Sequence, residues 1–239
     1  MRSSARAVTP AIDAGKRMGV QALIQAAGNG SRLGLGPKAY IVLDGRTLIE
    51  RAVAIFRDIA EHVIVAVPAA EIARTRRLLG GDRITVIAGG ASRSETTRRL
   101  VAEATAPWLL LHDVVHPFAT TDLVEKVLQT AYVHRAAAPG VANTEFMYGR
   151  DGALLFAPGE VLIGQKPVAF SRDAVEAAYK ALGEIEAAKD PSLLEILELA
   201  GIRTKFVEGS ARNIKITGPA DLEVAQALIE LEKAESINH

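Results

Sequence analysis

Short apolar runs alternate with stretches of helical spacing through the first half of this chain. The runs at residues 20–27, 63–67, 84–88 and 108–112 are nearly continuous in apolar character. Between them, residues 47–59, 71–79 and 95–104 carry a helical pattern, the first opened by a Thr47-Leu-Ile-Glu50 capping box. Strands buried on both faces, each followed by a helix, pack as a parallel sheet with helices on either side. The pattern therefore predicts an α/β fold, a Rossmann-like mainly parallel sheet flanked by helices. Ligands bind such sheets beyond the carboxyl ends of the strands.

Three of those ends are rich in glycine or polar residues. The run at 20–27 empties into Gly28-Asn-Gly-Ser-Arg32 and continues through Gly34, Gly36 and Pro37-Lys38. The run at 84–88 leads to Gly89-Gly90, and the run at 108–112 to His112-Asp113. Glycines let the backbone approach a ligand and turn N–H groups toward an anion, and Arg32 and Lys38 add charge. The first exit thus reads as a triphosphate cradle. A plain chain reversal would also use these glycines, and Gly28, Gly30 and Gly34 come close to a dinucleotide-binding pattern. That pattern wants a helix starting at the glycines and an acidic residue ending the next strand. Here the loop runs on to Pro37, which disfavours helix before it, and the next strand ends in Val67-Pro-Ala-Ala70 without a carboxylate until Glu71. The dinucleotide reading loses.

At 239 residues the chain is long enough for one large α/β domain. Its net charge is zero, so a cationic site must be local, and nothing favours nucleic acid or a membrane surface as partner. The absence of cysteine excludes disulfides, thiolate metal sites and cysteine nucleophiles, and fits a cytoplasmic location. No apolar run approaches the roughly 20 residues of a membrane span. Residues 1–19 carry Arg2, Arg6, Lys16 and Arg17 without the apolar stretch of a secretory signal, and read as a flexible leader to a domain at 20–235.

In the second half, residues 120–132 form a helix and 137–141 a strand. Residues 143–165 alternate irregularly around Gly149-Arg-Asp-Gly152, a turn between two short strands. A protruding β-hairpin arm at 141–165 is expected, suited to dimerisation. Ser171 and Asp190-Pro191 are expected to open two further helices, with Pro191 at the first helical position. A strand at 204–208 and a helix opened by Gly218-Pro219-Ala-Asp221 complete the pattern.

Asp113 can hold Mg²⁺ through oxygen, accept a substrate hydroxyl, or cap the following helix. His112 and His116 flank it, but without cysteine or a spaced histidine pair they do not make a zinc site. His116 is left as a substrate contact or a surface residue. Lys38 and Lys215 are far apart in sequence, yet could clamp one phosphoryl group, since such transfers are accelerated chiefly by positioning and electrostatics.

Together these residues resemble the methylerythritol phosphate cytidylyltransferases and the related ribitol phosphate cytidylyltransferases, from about residue 20 to 231. The family's A-A-G-x-G-x-R…P-K stands here as Ala26-Ala-Gly-Asn-Gly-Ser-Arg32 with Pro37-Lys38. Its G-G-x-x-R-x-x-S stands as Gly89 to Thr96, with threonine for serine, and its N-I-K-(I/V)-T stands intact as Asn213 to Thr217. The resemblance implies transfer of CMP from CTP to a phosphorylated small polyol, with Mg²⁺ on the triphosphate and pyrophosphate released, in isoprenoid biosynthesis. It implies catalytic roles for Arg32, Lys38 and Lys215, and nucleotide contacts from Ala26, Ala27, Gly28, Gly30, Gly90 and Thr96. Asp113, His116, Thr144 and Lys166 would face the acceptor, Asp113 would be the metal ligand, and the family's arm implies a homodimer.

The acceptor side departs from the family pattern. H-D-A-A-R-P is His112-Asp-Val-Val-His-Pro117, so a histidine replaces an arginine that grips the acceptor's phosphate. D-T-(I/V)-K is Asn143-Thr-Glu-Phe146, T-P-Q-x-F is Lys166-Pro-Val-Ala-Phe170, and an arginine of the arm falls near Pro158. Imidazole lacks the guanidinium fork and is mostly neutral at pH 7. These departures predict an acceptor other than methylerythritol phosphate. Two alternatives remain: a molybdopterin-type nucleotidyltransferase, and a non-catalytic nucleotide-binding relative.

Overall fold

Side chains along β1 (Val20–Gln25) alternate between two apolar layers, which fixes this strand at the middle of the molecule. The computed structural model describes residues 19–28, 36–182 and 190–237. The expected leader, apart from Gly19, and the loop residues 29–35, with Gly30 and Arg32, lie outside the described residues.

A short hairpin of β2 (Val42–Leu43) and β3 (Arg46–Thr47) leads from the loop into α1 (Leu48–Phe56). Strand β1 is flanked in parallel by β4 (His62–Val67) and β6 (Trp108–Asp113). Strand β5 (Ile84–Ala88) adds in parallel to β4, with α2 (Ile72–Leu79) connecting the two. Ala22 and Ile24 point to a layer with α1, α4 (Thr121–His134) and α7 (Pro219–Ile237). Leu23 points to the other, with α3 (Arg93–Glu103), α5 (Arg172–Ala181) and α6 (Leu193–Leu199). Phe56, Leu23, Ile24, Leu109 and Leu110 are sealed from solvent, each burial contributing about 1.5–3 kcal/mol. Helix α1 has the expected capping box: the Thr47 hydroxyl accepts from Glu50 N–H, and the Glu50 carboxylate accepts from Thr47 N–H. It stops at Phe56, short of the expected residue 59.

The mainly parallel sheet stands as expected, with one addition. Strand β11 (Val168–Ser171) inserts antiparallel between β6 and β7 (Ala136–Ala142). Ser171 ends that strand before α5, and its side chain makes no cap bond. Strand β12 (Lys205–Glu208) pairs in parallel with β7. Residues beyond β7 leave the sheet as β8 (Met147–Tyr148) and β9 (Leu154–Phe156), joined across Gly149–Gly152, and return as β10 (Leu162–Gly164), which pairs antiparallel with the far end of β7 on the side that β11 occupies, opposite β12. Asn143 ties the base of this excursion: its Nδ2 donates to Glu145 O, and its Oδ1 accepts from Gly159 and Val161 N–H.

The expected helix start at Pro191 is not found. Helix α6 begins at Leu193, capped by Ser192 in a capping box with Glu195. A serine hydroxyl satisfies an orphan N–H that proline cannot, so the cap prevails over the proline preference. Asp190 is left outside the helix with a left-handed φ of 52°.

Candidate active site

The exits of β1, β5 and β6 converge at one edge of the sheet. Gln25 and Asp113 are register partners at the ends of β1 and β6. Beyond them lies a cleft of about 480 Å³, lined by Ala26, Ala27, Gly28, Lys38, Gly90, Thr96 and Lys215 among others. The structure thus brings together every described residue expected at the nucleotide and catalytic positions. Arg32 and Gly30 belong to the undescribed stretch of the loop.

Glycines are required where two loops touch. A Cβ on Gly89 would collide with the Ala27 methyl, and one on Gly90 with Glu95 at 2.5 Å. Gly90 N–H donates to Thr96 Oγ1 at 3.0 Å, and the same hydroxyl donates to Ser92 O at 2.8 Å. Thr96 therefore shapes the loop, and residues 90–92 line the cleft. Glu95 completes the turn by accepting from Ala91 N–H at 2.7 Å.

The two lysines meet across the chain. Lys38 Nζ donates to the carbonyls of Ile216 at 3.3 Å and Thr217 at 2.9 Å, beside Lys215. The Asp221 carboxylate caps that segment, accepting from Thr217 and Gly218 N–H. The Thr217 hydroxyl and these two N–H groups hold its carboxyl below the usual range. Lys38 is thereby held along the cleft wall by two carbonyl oxygens, a fixed charge of the kind a phosphate clamp requires.

A second cavity of about 200 Å³ opens on the other side of Asp113, with His116, Lys166, Arg93, Leu193 and Lys215 in its wall. Asp113 and Lys215 border both spaces. Asp113 Oδ1 is sealed from solvent without a hydrogen bond, and Lys166 Nζ stands 3.8 Å away. Burial alone would raise the Asp113 carboxyl, but the Lys166 ammonium, with Lys215 beyond it, holds it below the usual range. Asp113 does not cap a helix, because Thr120 caps α4. His116 is 5% exposed, so it is not a surface residue. Burial lowers its pKa to about 4, and that of the fully buried His112 to about 3. Both rings are neutral at pH 7. Thr144 is exposed in the arm and lines neither space, so the structure does not bring it to the other acceptor-side residues within one chain.

Several positioning residues escaped the sequence reading. Gln25 Nε2 donates to Arg93 O at 3.2 Å and to the Thr97 hydroxyl, docking α3 against β1. A lone amide ending an apolar strand was the available signal. Gln165 donates to Ser210 O and Asn213 O and accepts from Ser210 N–H, while Asn213 Nδ2 donates to Lys166 O. These bonds fix Lys166 and Lys215 relative to one another, and only their pairing in space reveals them. Among the described residues, no three His, Asp or Glu side chains gather to hold a metal ion, and no helix is long and apolar enough to cross a membrane.

A mainly parallel sheet with a glycine-lined cleft at its carboxyl edge, and two lysines in the cleft wall, defines a nucleotidyltransferase-type α/β protein. The family model for 2-C-methyl-D-erythritol 4-phosphate cytidylyltransferase (IspD) matches residues 20–231. The chain belongs to this family. The 2-C-methyl-D-erythritol 4-phosphate cytidylyltransferase of Thermus thermophilus is 36% identical over 222 residues, covering 91% of this chain and 100% of that protein. Its counterpart in Deinococcus radiodurans is 35% identical over 211 residues, covering 87% and 88%. The crystal structure of the enzyme from Thermus thermophilus aligns with a TM-score of 0.70 at 30% identity, covering 88% of this chain and 98% of that one. The 4-diphosphocytidyl-2C-methyl-D-erythritol synthase of Anaerococcus prevotii aligns at 0.73 with 24% identity, covering 88% and 96%, a likeness of fold. The chain is an enzyme, a CTP-dependent cytidylyltransferase. The molybdopterin-type and non-catalytic alternatives are set aside.

Proposed function

We propose that the protein transfers CMP from CTP to 2-C-methyl-D-erythritol 4-phosphate, with the nucleotide in the larger cleft and the acceptor in the smaller cavity. The observation that carries this reading is the shared wall: Asp113 and Lys215 border both spaces, so a phosphate in one lies next to a triphosphate in the other. A phosphate oxygen of the acceptor attacks the α-phosphorus. The new P–O bond forms as the bond to the bridging oxygen breaks, and pyrophosphate leaves with its electron pair. Lys38 and Lys215 stabilise the charge that grows on the transferring and leaving oxygens. Arg32 is assigned the same role, and Ala26, Ala27, Gly28, Gly30, Gly90 and Thr96 shape the base and phosphate pocket.

The departures at positions 116, 146 and 166 suggested a different acceptor. The family match favours methylerythritol phosphate instead, and the cavity supplies a physical reason. The charge absent at neutral His116 is supplied by Lys166 from another part of the same wall. Asp113, whose Oδ1 is paired with Lys166 but accepts no hydrogen bond, is suited to accept an acceptor hydroxyl.

Asp113 is also the single carboxylate lining either space among the described residues. That fits a Mg²⁺ ion held mainly by phosphate oxygens and water, with at most one protein oxygen. Such an ion, when bound, would neutralise triphosphate charge.

The exposed apolar side chains of the arm, Phe146, Tyr148, Leu155, Phe156 and Ile163 among them, support a homodimer formed through residues 141–165. In that dimer Thr144 would reach the acceptor across the interface. A cytoplasmic location follows from the reaction's need for CTP.

Pyrophosphate release, measured with CTP, Mg²⁺ and a panel of polyol phosphates, tests this function. The fastest turnover is expected with methylerythritol phosphate. Faster turnover with another polyol phosphate would return the acceptor question to the expectation drawn from the sequence.

A further inference from the structure

Asp190 lies 98 residues from Ser92 in sequence, yet its Oδ1 accepts from the Ser92 hydroxyl at 2.6 Å and from Ser94 N–H at 2.9 Å. These bonds join the lead-in of α6 to the first turn of α3. Ser92 is the N-cap of α3, accepting from Glu95 N–H, so Asp190 holds the capping residue itself. The two segments so joined divide the two substrate spaces. Ser92 and Arg93 line the nucleotide cleft, while Arg93, Ser94, Pro191 and Ser192 line the acceptor cavity. The Ser92 hydroxyl and Ser94 N–H hold the Asp190 carboxyl below its ordinary range, so it is ionised at neutral pH and its bonds are charge-assisted. The backbone of Asp190 adopts a left-handed φ of 52°, a conformation uncommon outside glycine that Asn and Asp enter most readily.

We infer that Asp190 is a positioning residue for both substrates: it latches the α6 lead-in onto α3 and thereby sets the base-facing loop and the acceptor wall together. The inference rests on the proposed reaction and goes beyond it, since neither the family motifs nor the cleft-lining residues include Asp190. Its chemistry is that of a clasp and not of a substrate contact. The nucleotide loop, shaped by the bond from Gly90 to Thr96, runs directly into this clasp at Ala91-Ser92.

Steady-state kinetics of Asp190→Ala and Asp190→Asn, with unliganded melting temperatures, test the inference. For Asp190→Ala, KM for CTP and KM for the acceptor are expected to rise together by about fivefold, as for loss of a helix cap, with kcat within about twofold. Asp190→Asn, which keeps one acceptor oxygen but loses the charge, is expected in between, at about threefold. If either KM for Asp190→Ala stays within about twofold of the unsubstituted protein while the variant remains folded, the inference is overturned. A lowered melting temperature with both KM values unchanged overturns it as well, since that is a structural bond only. Should Asp190→Ala fail to fold, the asparagine variant decides by the same criteria. Absence of pyrophosphate release from the unsubstituted protein would instead count against the proposed reaction, leaving the two failures distinct.

Discussion

The two spaces at the sheet edge are built from different material. The larger cleft, proposed for the nucleotide, is shaped largely by main chain and small residues, Ala26, Ala27, Gly28, Gly90 and Ala91, with Lys38 and Lys215 in its wall. The smaller cavity, proposed for the acceptor, is shaped by side chains, His116, Gln165, Lys166, Leu193 and Leu194. The first kind of site tolerates little change, because a Cβ added at Gly89 or Gly90 runs into a neighbouring side chain. A side-chain site can be recharged by single substitutions while the fold stands still. That contrast explains why one half of the site keeps the family pattern and the other departs from it.

The largest effect is expected at the shared wall. Lys215→Ala or Lys38→Ala should lower kcat by about 10²–10³, the usual consequence of removing one preorganised charge from a transfer site. Single-turnover rates would check this, and a loss confined to KM would mean that the lysines bind without catalysing. Next comes Lys166→Met. We expect KM for the acceptor to rise about 10- to 100-fold, with KM for CTP little changed, as for loss of one charge-assisted bond. Equal increases in both constants would break the division into donor and acceptor spaces. Smaller still, Thr96→Val removes the hydroxyl that accepts from Gly90 N–H, and CTP affinity by calorimetry should fall about fivefold. An unchanged affinity would show that the loop holds its shape without it.

The last test concerns stability. His112 and His116 stay neutral in the folded protein down to about 3 and 4, but titrate near 6.5 once unfolded. Between those limits the unfolded chain binds more protons, so stability is full above about pH 6.5 and falls as the pH drops through this window. Each fully titrating histidine contributes a slope of up to about 1.4 kcal/mol per pH unit. Urea midpoints across this range would show the decline, and His112→Phe should flatten it. An identical slope in that variant would place the titration elsewhere.

Much of the fold was legible because it rests on local pattern. Apolar runs marked β1, β4, β5, β6 and β7, and Thr47 with Glu50 marked the start of α1. Strand β11 was not legible: four residues after a proline carry no period, and their place between β6 and β7 is decided by pairing with those strands. Helix α6 was misplaced because Asp190-Pro191 resembles a helix start, while the Ser192–Glu195 box just beyond it is the one the backbone uses. In the site, glycines and the lysine motifs could be read directly. Gln165 and Asp190 could not, since a hydrogen bond between distant segments leaves no spacing in the sequence.

The bonds from Lys38 to Ile216 and Thr217 span 178 and 179 residues. Contacts of such long sequence separation form late, after the closure of a large loop has been offset by packing. The strands and helices around β1 can assemble during synthesis, but the clamp needs residues near the far end of the chain. Competence therefore waits for the segment around Lys215, and a chain that has built only β1, β4, β5 and β6 lacks half of the clamp.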